Sequence, residues 1–396
     1  MTTRKSMYER LGVDPEKTIV RQSFKDIINN EYPWAFVNII TDPTNKRRVV
    51  TQHQDGDGSK FIQRLLHYYE FGDDTVFEGM VDDALSMNAG DISASGFVFG
   101  PWLMSDVLNL NLDGELKEVI LRAVSRRFTY LIDLYYQRGF DIKFLGGETA
   151  DLRDQVRSGV FDIAIMAWAK KFEVVTGNVK PGDIIFGLLS DGRAIWETHR
   201  NSGIMSNGLT LSRSCLMDKS FDEKYPTLKR DGEFFKGRFQ PNDCPDILGG
   251  MSVGEAILSP TRQWAFIIRE IIVELKAKDA LHMLHGISMN TGGGVTKISH
   301  VGNNVCYIKR MPTPPPIFQL IQQESGEIWE DMYRDFNCGV GIDIVGENNP
   351  ILRQAIEIAT DSCGINFKQL GKVISSSGAK PGNEVILQTP YGDFHY

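Results

Sequence analysis

The feature that most limits what this chain can fold into is a long helical periodicity that stops at a glycine and passes at once into a strand. From Leu116 to Arg138 apolar residues recur at helical spacing, at Val119, Ile120, Ala123, Val124, Phe128, Leu131, Ile132 and Tyr135. Gly139 ends the run, and Asp141–Leu145 then reads as a buried strand delivered to the turn Gly146-Gly147. The pattern returns after Pro260, where a helix is predicted from Thr261 to about Lys278 on Trp264, Ile267, Ile268, Ile271, Ile272 and Leu275. An apolar run beyond it reaches Gly292-Gly293-Gly294. Two such passages predict a mixed α/β (α+β) chain in two halves. A polar, glycine- and proline-punctuated stretch from Thr176 to Pro181 separates the strand-like Ile163–Ala169 from the strand-like Ile184–Leu189, so domains are expected over 1–176 and 177–396. Residues 218–250 are rich in Asp, Lys, Gly and Pro with little periodicity and read as a long surface excursion.

The formal net charge of -8 argues against a broad basic face for nucleic acid or an anionic membrane. Any phosphate this chain holds must therefore meet local cations, a metal ion or backbone amides. Five cysteines, Cys215, Cys244, Cys306, Cys338 and Cys363, lie far apart with no C-x-x-C, which disfavours both a disulfide framework and a structural zinc site. The opening MTTRKSMYERLGVD has no apolar core of a signal peptide, and no run is long enough for a membrane span. The expected location is cytoplasmic.

Several segments carry residue types suited to phosphate chemistry. His53-Gln54-Asp55-Gly56-Asp57-Gly58-Ser59-Lys60 follows a strand-like run; its glycines allow close backbone approach, its carboxylates can hold Mg²⁺, and Lys60 can meet a phosphate. A solvated turn is the plainer reading of the same residues. Met87-Asn88-Ala89-Gly90-Asp91, with Asp82 and Asp83 upstream, sets Asp83 about two helical turns from Asp91; the plainer reading is a helix with an acidic solvent face. Leu145-Gly146-Gly147-Glu148-Thr149-Ala150 places a carboxylate and a hydroxyl just past a strand, where open α/β sheets bind ligands, or is simply a capping turn. Ser206-Asn207-Gly208, Asn290-Thr291-Gly292-Gly293-Gly294 and Phe336-Asn337-Cys338-Gly339-Val340-Gly341 offer backbone amides to a ligand, or are tight turns.

The order of these segments resembles the phosphoribosylformylglycinamidine cyclo-ligase (aminoimidazole ribonucleotide synthetase) family over nearly the whole chain. Tyr8 with Gly12-Val13-Asp14 is similar to that family's opening Y..(A/S)GVD, Asp55–Lys60 to its DGVGTK, Asp91 to the aspartate of MxxND, and Gly146–Ala150 to GGETA. Phe161-Asp162 resembles its tyrosine-aspartate pair, Pro181-Gly182-Asp183 its strand entry, Ser206–Leu211 its SNGxSL and Ser259-Pro260-Thr261-Arg262 its (L/S)PTR. Thr291–Gly294 matches TGGG, Met332-Tyr333-Arg334 with Phe336–Gly341 resembles EMYRxFNxGxG, and Leu370–Val373 resembles IGxV.

The resemblance implies an N-terminal domain whose sheet joins its twin in a homodimer, a larger C-terminal α/β domain, and ATP in the cleft between them. It implies ATP-dependent cyclisation of formylglycinamidine ribonucleotide, in which the formyl oxygen is phosphorylated and a nitrogen then displaces phosphate. Asp55, Asp91 and Lys60 would be catalytic, with Mg²⁺ on Asp55, Asp91 and Glu148. ATP would be held by Asp55, Gly56, Asp57, Gly58, Ser59, Lys60, Asp83, Asp91, Gly146, Gly147, Glu148 and Thr149. Ser206, Asn207, Gly208, Thr291, Gly292, Gly293 and Gly294 would line the substrate side.

This chain departs from the family pattern at two histidines, one just before SNG and one in HITGGG, which here are Met205 and Met289. Neither methionine can move a proton. Gly90 replaces the asparagine of MxxND, and extra residues, Arg193–Met205, stand where the family has a tight turn. His199 or His285 could bring an imidazole back in space. Two further readings stand beside ring closure: a related ATP-dependent kinase or synthetase acting on another amide or carbamoyl oxygen, and a catalytically silent nucleotide-binding paralogue.

Overall fold

The computed structural model describes residues 4–14, 18–112, 114–229, 232, 234–378 and 382–396. Two sheets organise them. The first has the order β1-β2-β5-β3-β4, built from β1 (Ile40–Thr41), β2 (Arg48–Gly56), β3 (Pro101–Leu110), β4 (Asp141–Asp151) and β5 (Gly159–Lys170). Only β3 and β4 pair in parallel in it. The second has the order β12-β11-β8-β10-β6-β9-β7, from β6 (Ile184–Leu189), β7 (Leu284–Met289), β8 (Val305–Arg310), β9 (Val340–Gly346), β10 (Phe367–Ser375), β11 (Glu384–Thr389) and β12 (Gly392–His395). Both sheets are mixed and mainly antiparallel. Strands of the first end at Lys170 and those of the second begin at Ile184.

Side chains alternate along the first sheet as the two-residue period requires. Phe161, Ile163, Ile165, Ala167 and Ala169 of β5 are buried, while Val160 and Met166 on the other face are exposed. The buried face is covered by the helix Glu78–Ala94, hereafter the central helix, which also packs on the helix Trp264–Ala277 and on β7 of the second sheet. Lying between two layers, the central helix is buried on every side from Met80 to Ala94, so it has no acidic solvent face. Its carboxylates Asp82, Asp83 and Asp91 are enclosed with it.

The helix expected over Leu116–Arg138 spans Gly114–Gln137. That expected from Thr261 begins at Trp264, because the residues before it are engaged elsewhere. The Thr261 amide donates to Asp83 Oδ1 at 2.6 Å, and the Arg262 guanidinium holds Glu197 and the Leu189 carbonyl. Two expectations are corrected. The strand at Asp141 is not buried and does not stop at Gly146-Gly147: it continues to Asp151 as the edge of the sheet, with Leu145 66% exposed. A bulge between Met104 and Asp106, opposite Gly146 at φ 89°, lets pairing with β3 resume at Gly147. Residues 218–250 are no free excursion either. Phe221, Phe234, Phe235 and Phe239 are buried, and bridges from Met217 to Phe239 and from Asp218 to Gly237 pin the segment to the body.

The tightest join between the layers is at Gly90. A Cβ there would run into Sδ of Met289, itself fully buried on β7, with Trp264 behind it. Gly90→Ala is therefore expected to lower the melting temperature, by overpacking of about 1–3 kcal/mol that outweighs the helix-propensity gain of about 1 kcal/mol. In a Met289→Ala background the same substitution should raise it, since the obstruction is gone. Thermal unfolding of the four proteins tests this, and stabilisation by Gly90→Ala alone would refute the close packing.

Candidate functional site

β2 delivers the first acidic segment to the join between the layers. Gly56 ends the strand where a side chain would strike the Asp162 carboxylate and the Phe161 carbonyl. Lys60 then opens the helix Lys60–Phe71 and is wholly buried. Its ammonium donates to Asp83 at 3.2 Å, to the Met205 carbonyl at 3.0 Å and to the Ser259 carbonyl at 2.6 Å. Three protons meet three acceptors, so Lys60 has none left for a phosphate. Arg64, one turn on, lies against Asp57 at 3.0 Å and also against Asp83.

Burial favours the neutral forms in this network and the opposite charges favour the ionised ones. Burial lifts the Asp57 carboxyl to about 6 despite Arg64, whereas at Asp83 burial is outweighed by Lys60 and Arg64 and the carboxyl stays below its ordinary value. Asp57, Lys60 and Asp83, expected to touch ATP, thus form an internal ion network bridging the two layers.

Asp91 is placed differently. Its Oδ2 lies 3.2 Å from His53 Nε2 and 3.6 Å from Lys297 Nζ, while its buried Oδ1 has no hydrogen-bond partner. Burial would raise its carboxyl, but Lys297 and His53 outweigh that and hold it below the ordinary range. Asn88 Nδ2 donates to the carbonyls of Asp55, Ala84 and Ile163, so its Oδ1, 2.9 Å from His53 Nδ1, is an acceptor. His53 thus faces an amide oxygen through Nδ1 and a carboxylate through Nε2. Burial alone would lower its pKa; Asp91, Asp55 and Asn88 raise it.

Lys297 carries the link onward to the second sheet. It sits in the short helix Gly294–His300 after the glycine turn, donates to Thr291 Oγ1 and lies over the Phe36 ring. Gly292 in turn approaches Asn207, whose buried Nδ2 is unpartnered. The structure therefore brings together His53, Asp55, Asp91, Thr291, Gly292, Gly293, Asn207 and Lys297. Gly208 packs against Phe336, and Gly294 against the carbonyls of Tyr333, Arg334 and Phe336. Ser206 meets Thr261 at 3.1 Å, and Ser59 meets Thr210 at 3.0 Å.

Glu148 is not brought to this site within one chain. Asp55 pairs with Ile163, Ile163 with Asp106 and Asp106 with Gly147, so Gly147 shares the face of Asp55 and Glu148 points from the opposite face. Two strands also separate β2 from β4, about 14 Å at ordinary strand spacing. Gly146, Gly147 and Thr149 lie on the same distant edge. Among the described residues no three His, Cys, Asp or Glu side chains form a metal-sized cluster, and within one chain Glu148 projects away from the face that carries Asp55.

The expected replacement histidines lie elsewhere. His285 is bound to Asp183 at 2.7 Å, and His199 lines a separate cavity of about 600 Å³ beside Asp82, Arg127, Trp196 and Arg200. The imidazole that does reach the site is His53. It stands two residues before Asp55 on a strand, hence on the same face, a signal present in the sequence. Lys297, six residues after Thr291, left only a weak one.

No family model matches the chain. No helix of the described residues is long and apolar enough to cross a membrane. Among solved structures the chain is similar in fold to T. maritima PurL complexed with FGAR, with TM-score 0.57 and 11% identity, covering 99% of this chain and 52% of that one. It is also similar to the HypE-HypF complex, with TM-score 0.53 and 14% identity over 96% of this chain and 98% of that one. At sequence level it is 28% identical over 359 residues to a phosphoribosylformylglycinamidine cyclo-ligase of Methanobrevibacter smithii, covering 88% of this chain and 86% of the relative. A protein of the same name from Methanocaldococcus jannaschii is 30% identical over 345 residues, 86% of this chain and 83% of the relative. Identity of that extent, together with Asp91 meeting the glycine turn through Lys297, shows that the chain belongs to the phosphoribosylformylglycinamidine cyclo-ligase family.

Proposed function

We propose that this chain closes an imidazole ring at the expense of ATP, converting formylglycinamidine ribonucleotide to aminoimidazole ribonucleotide. The formyl oxygen attacks the γ-phosphoryl group, an O–P bond forms and ADP leaves. A nitrogen of the same molecule then attacks the activated carbon, the C–O bond breaks, and phosphate departs as the nitrogen gives up its proton. The observation that carries the reading is the chain of contacts, across two sheets, from Asp91 through Lys297 to Thr291 and the glycine turn, with Gly292 approaching Asn207. Phosphoryl transfer needs positioning and charge neutralisation more than covalent help, and this constellation supplies both.

The unpartnered Oδ1 of Asp91 and the half-buried Asp55 fit a hard cation held by two carboxylates and by phosphate oxygens. Mg²⁺ bound there would neutralise the phosphate charge during transfer. The chain's own groups do the rest. His53 and Lys297 hold Asp91 in place, the glycine turn brings backbone close to the ligand, and Asn207 offers a free amide proton. In this reading residues 1–176 form the metal- and ATP-binding domain and 177–396 the substrate-side domain.

A homodimer is proposed as well. The uncovered face and edge of the first sheet expose Val160, Met166 and Leu145, at 42%, 38% and 66%. A second copy seated on that face would cover them and lie next to Glu148. Light scattering should give a solution mass of two chains, and a purely monomeric protein would remove this part.

A related kinase or synthetase is the second reading, favoured by the apolar Gly90–Met289 contact at positions where the family pattern has asparagine and histidine. ADP release with Mg²⁺ separates the two. Release with formylglycinamidine ribonucleotide, and aminoimidazole ribonucleotide as product, is expected; release only with another amide would move the assignment to the second reading. Asp55→Asn should lower turnover by about a hundredfold or more without changing the far-ultraviolet circular dichroism. Near wild-type turnover would exclude Asp55 as a metal ligand.

A further inference from the structure

The site contains two lysines, and they differ in what their ammonium groups have left to give. Lys60, the one marked by the glycine-rich segment, is fully buried with all three protons directed at Asp83 and the carbonyls of Met205 and Ser259. A ligand could reach it only by breaking the network that joins the two layers. Lys297 retains 18% side-chain exposure, and among the described residues its ammonium hydrogen-bonds Thr291 Oγ1 alone. Its 3.6 Å approach to Asp91 is a contact of charges and exceeds hydrogen-bond length. Two of its protons are uncommitted.

The surroundings of Lys297 are prepared for an anion. His53 Nε2 and the Lys297 ammonium converge on the buried carboxylate of Asp91. The turn beside it is open. A Cβ on Gly292 would meet only Asn207 at 3.7 Å, and one on Gly293 only the Lys297 Cβ at 3.8 Å. Among the described residues no hydrogen bond uses the amide of Gly292 or Gly293. Asn207, whose Oδ1 faces Gly292, has a buried Nδ2 that lacks an acceptor among the described residues. Donors without acceptors, set around a cation with spare protons, describe a pocket for phosphoryl oxygens.

We infer that Lys297, and not Lys60, is the cation that grips a phosphoryl group in this chain, with Thr291 and Asp91 holding its ammonium at the glycine turn. The inference rests on the proposed reading in that the phosphoryl group belongs to one of the two reactants, the ribonucleotide or ATP. Asp91 orients the lysine and keeps it from swinging out to solvent, and its ammonium also lies over the Phe36 ring, 5.0 Å from the centroid.

The test compares full-length wild type, Lys297→Met and Lys297→Arg. Steady-state ADP release gives KM for ATP and for formylglycinamidine ribonucleotide, and calorimetry gives the affinity for Mg²⁺-ADP and for inorganic phosphate. Loss of a charge-assisted hydrogen bond should raise one KM about tenfold to a hundredfold in Lys297→Met, with unchanged melting temperature and substantial rescue by arginine. A rise confined to the ribonucleotide assigns its 5′-phosphate to Lys297; a rise confined to ATP assigns the triphosphate. Unchanged KM for both, or a fall in kcat alone, overturns the inference. If Lys297→Met does not fold, Lys297→Gln replaces it on the same criteria. Should wild type release no ADP with this ribonucleotide, the functional reading fails, yet weaker phosphate and ADP binding by the variant would still uphold Lys297, and equal binding would still overturn it.

Discussion

The structure depends on how one helix carries three carboxylates through a region without water. An isolated charge moved into such surroundings would cost several kcal/mol, so each carboxylate must find a cation. Asp82 takes Arg127 at 2.7 Å, Asp83 takes Lys60 and Arg64, and Asp91 takes His53 and Lys297. The partners come from four different segments of chain. Each pair therefore fixes one of those segments against the central helix, and the ion pairs specify how the layers fit as well as compensating burial.

This arrangement separates residues that hold the fold from residues that remain open to chemistry. Around Asp83 every donor has an acceptor, and the Thr261 amide adds one more. Around Asp91 the count does not close: Oδ1 is orphaned, Asn207 Nδ2 is orphaned, and Lys297 keeps protons to give. In the proposed reading these unpaired buried atoms, beside a network that is fully paired, are where a ligand would complete the structure. Two helical turns along one helix separate a carboxylate paired to Lys60 and Arg64 from one with an unpaired oxygen among the described residues.

The departures from the family pattern also become intelligible as packing. Gly90 and Met289 are in contact, so the loss of a polar side chain on the helix and of a histidine on β7 belongs to one apolar joint. Met205 takes φ 60° and gives its carbonyl to Lys60, a role in which its side chain has no part. The added segment Arg193–Met205 is closed at its base by mutual bonds of Gly192 and Asn201, and Glu197 pairs within it to Arg262. It lines its own cavity, away from Asp91.

The sequence by itself determined the helices at 114–137 and 264–277, the strands that follow them, the mixed α/β character and the family, because periodicity and ordered motifs are local and survive in one dimension. It also named Asp55, Asp91, Asn207 and the Thr291–Gly294 turn as candidates. It named Lys60 and Glu148 as well and gave no role to His53 or Lys297. Only the tertiary structure decided among these, for a physical reason: whether a charged side chain is free or saturated is set by partners far away in sequence. Lys60 is satisfied by carbonyls 145 and 199 residues distant, and the face from which Glu148 projects is fixed by strand register across three neighbours.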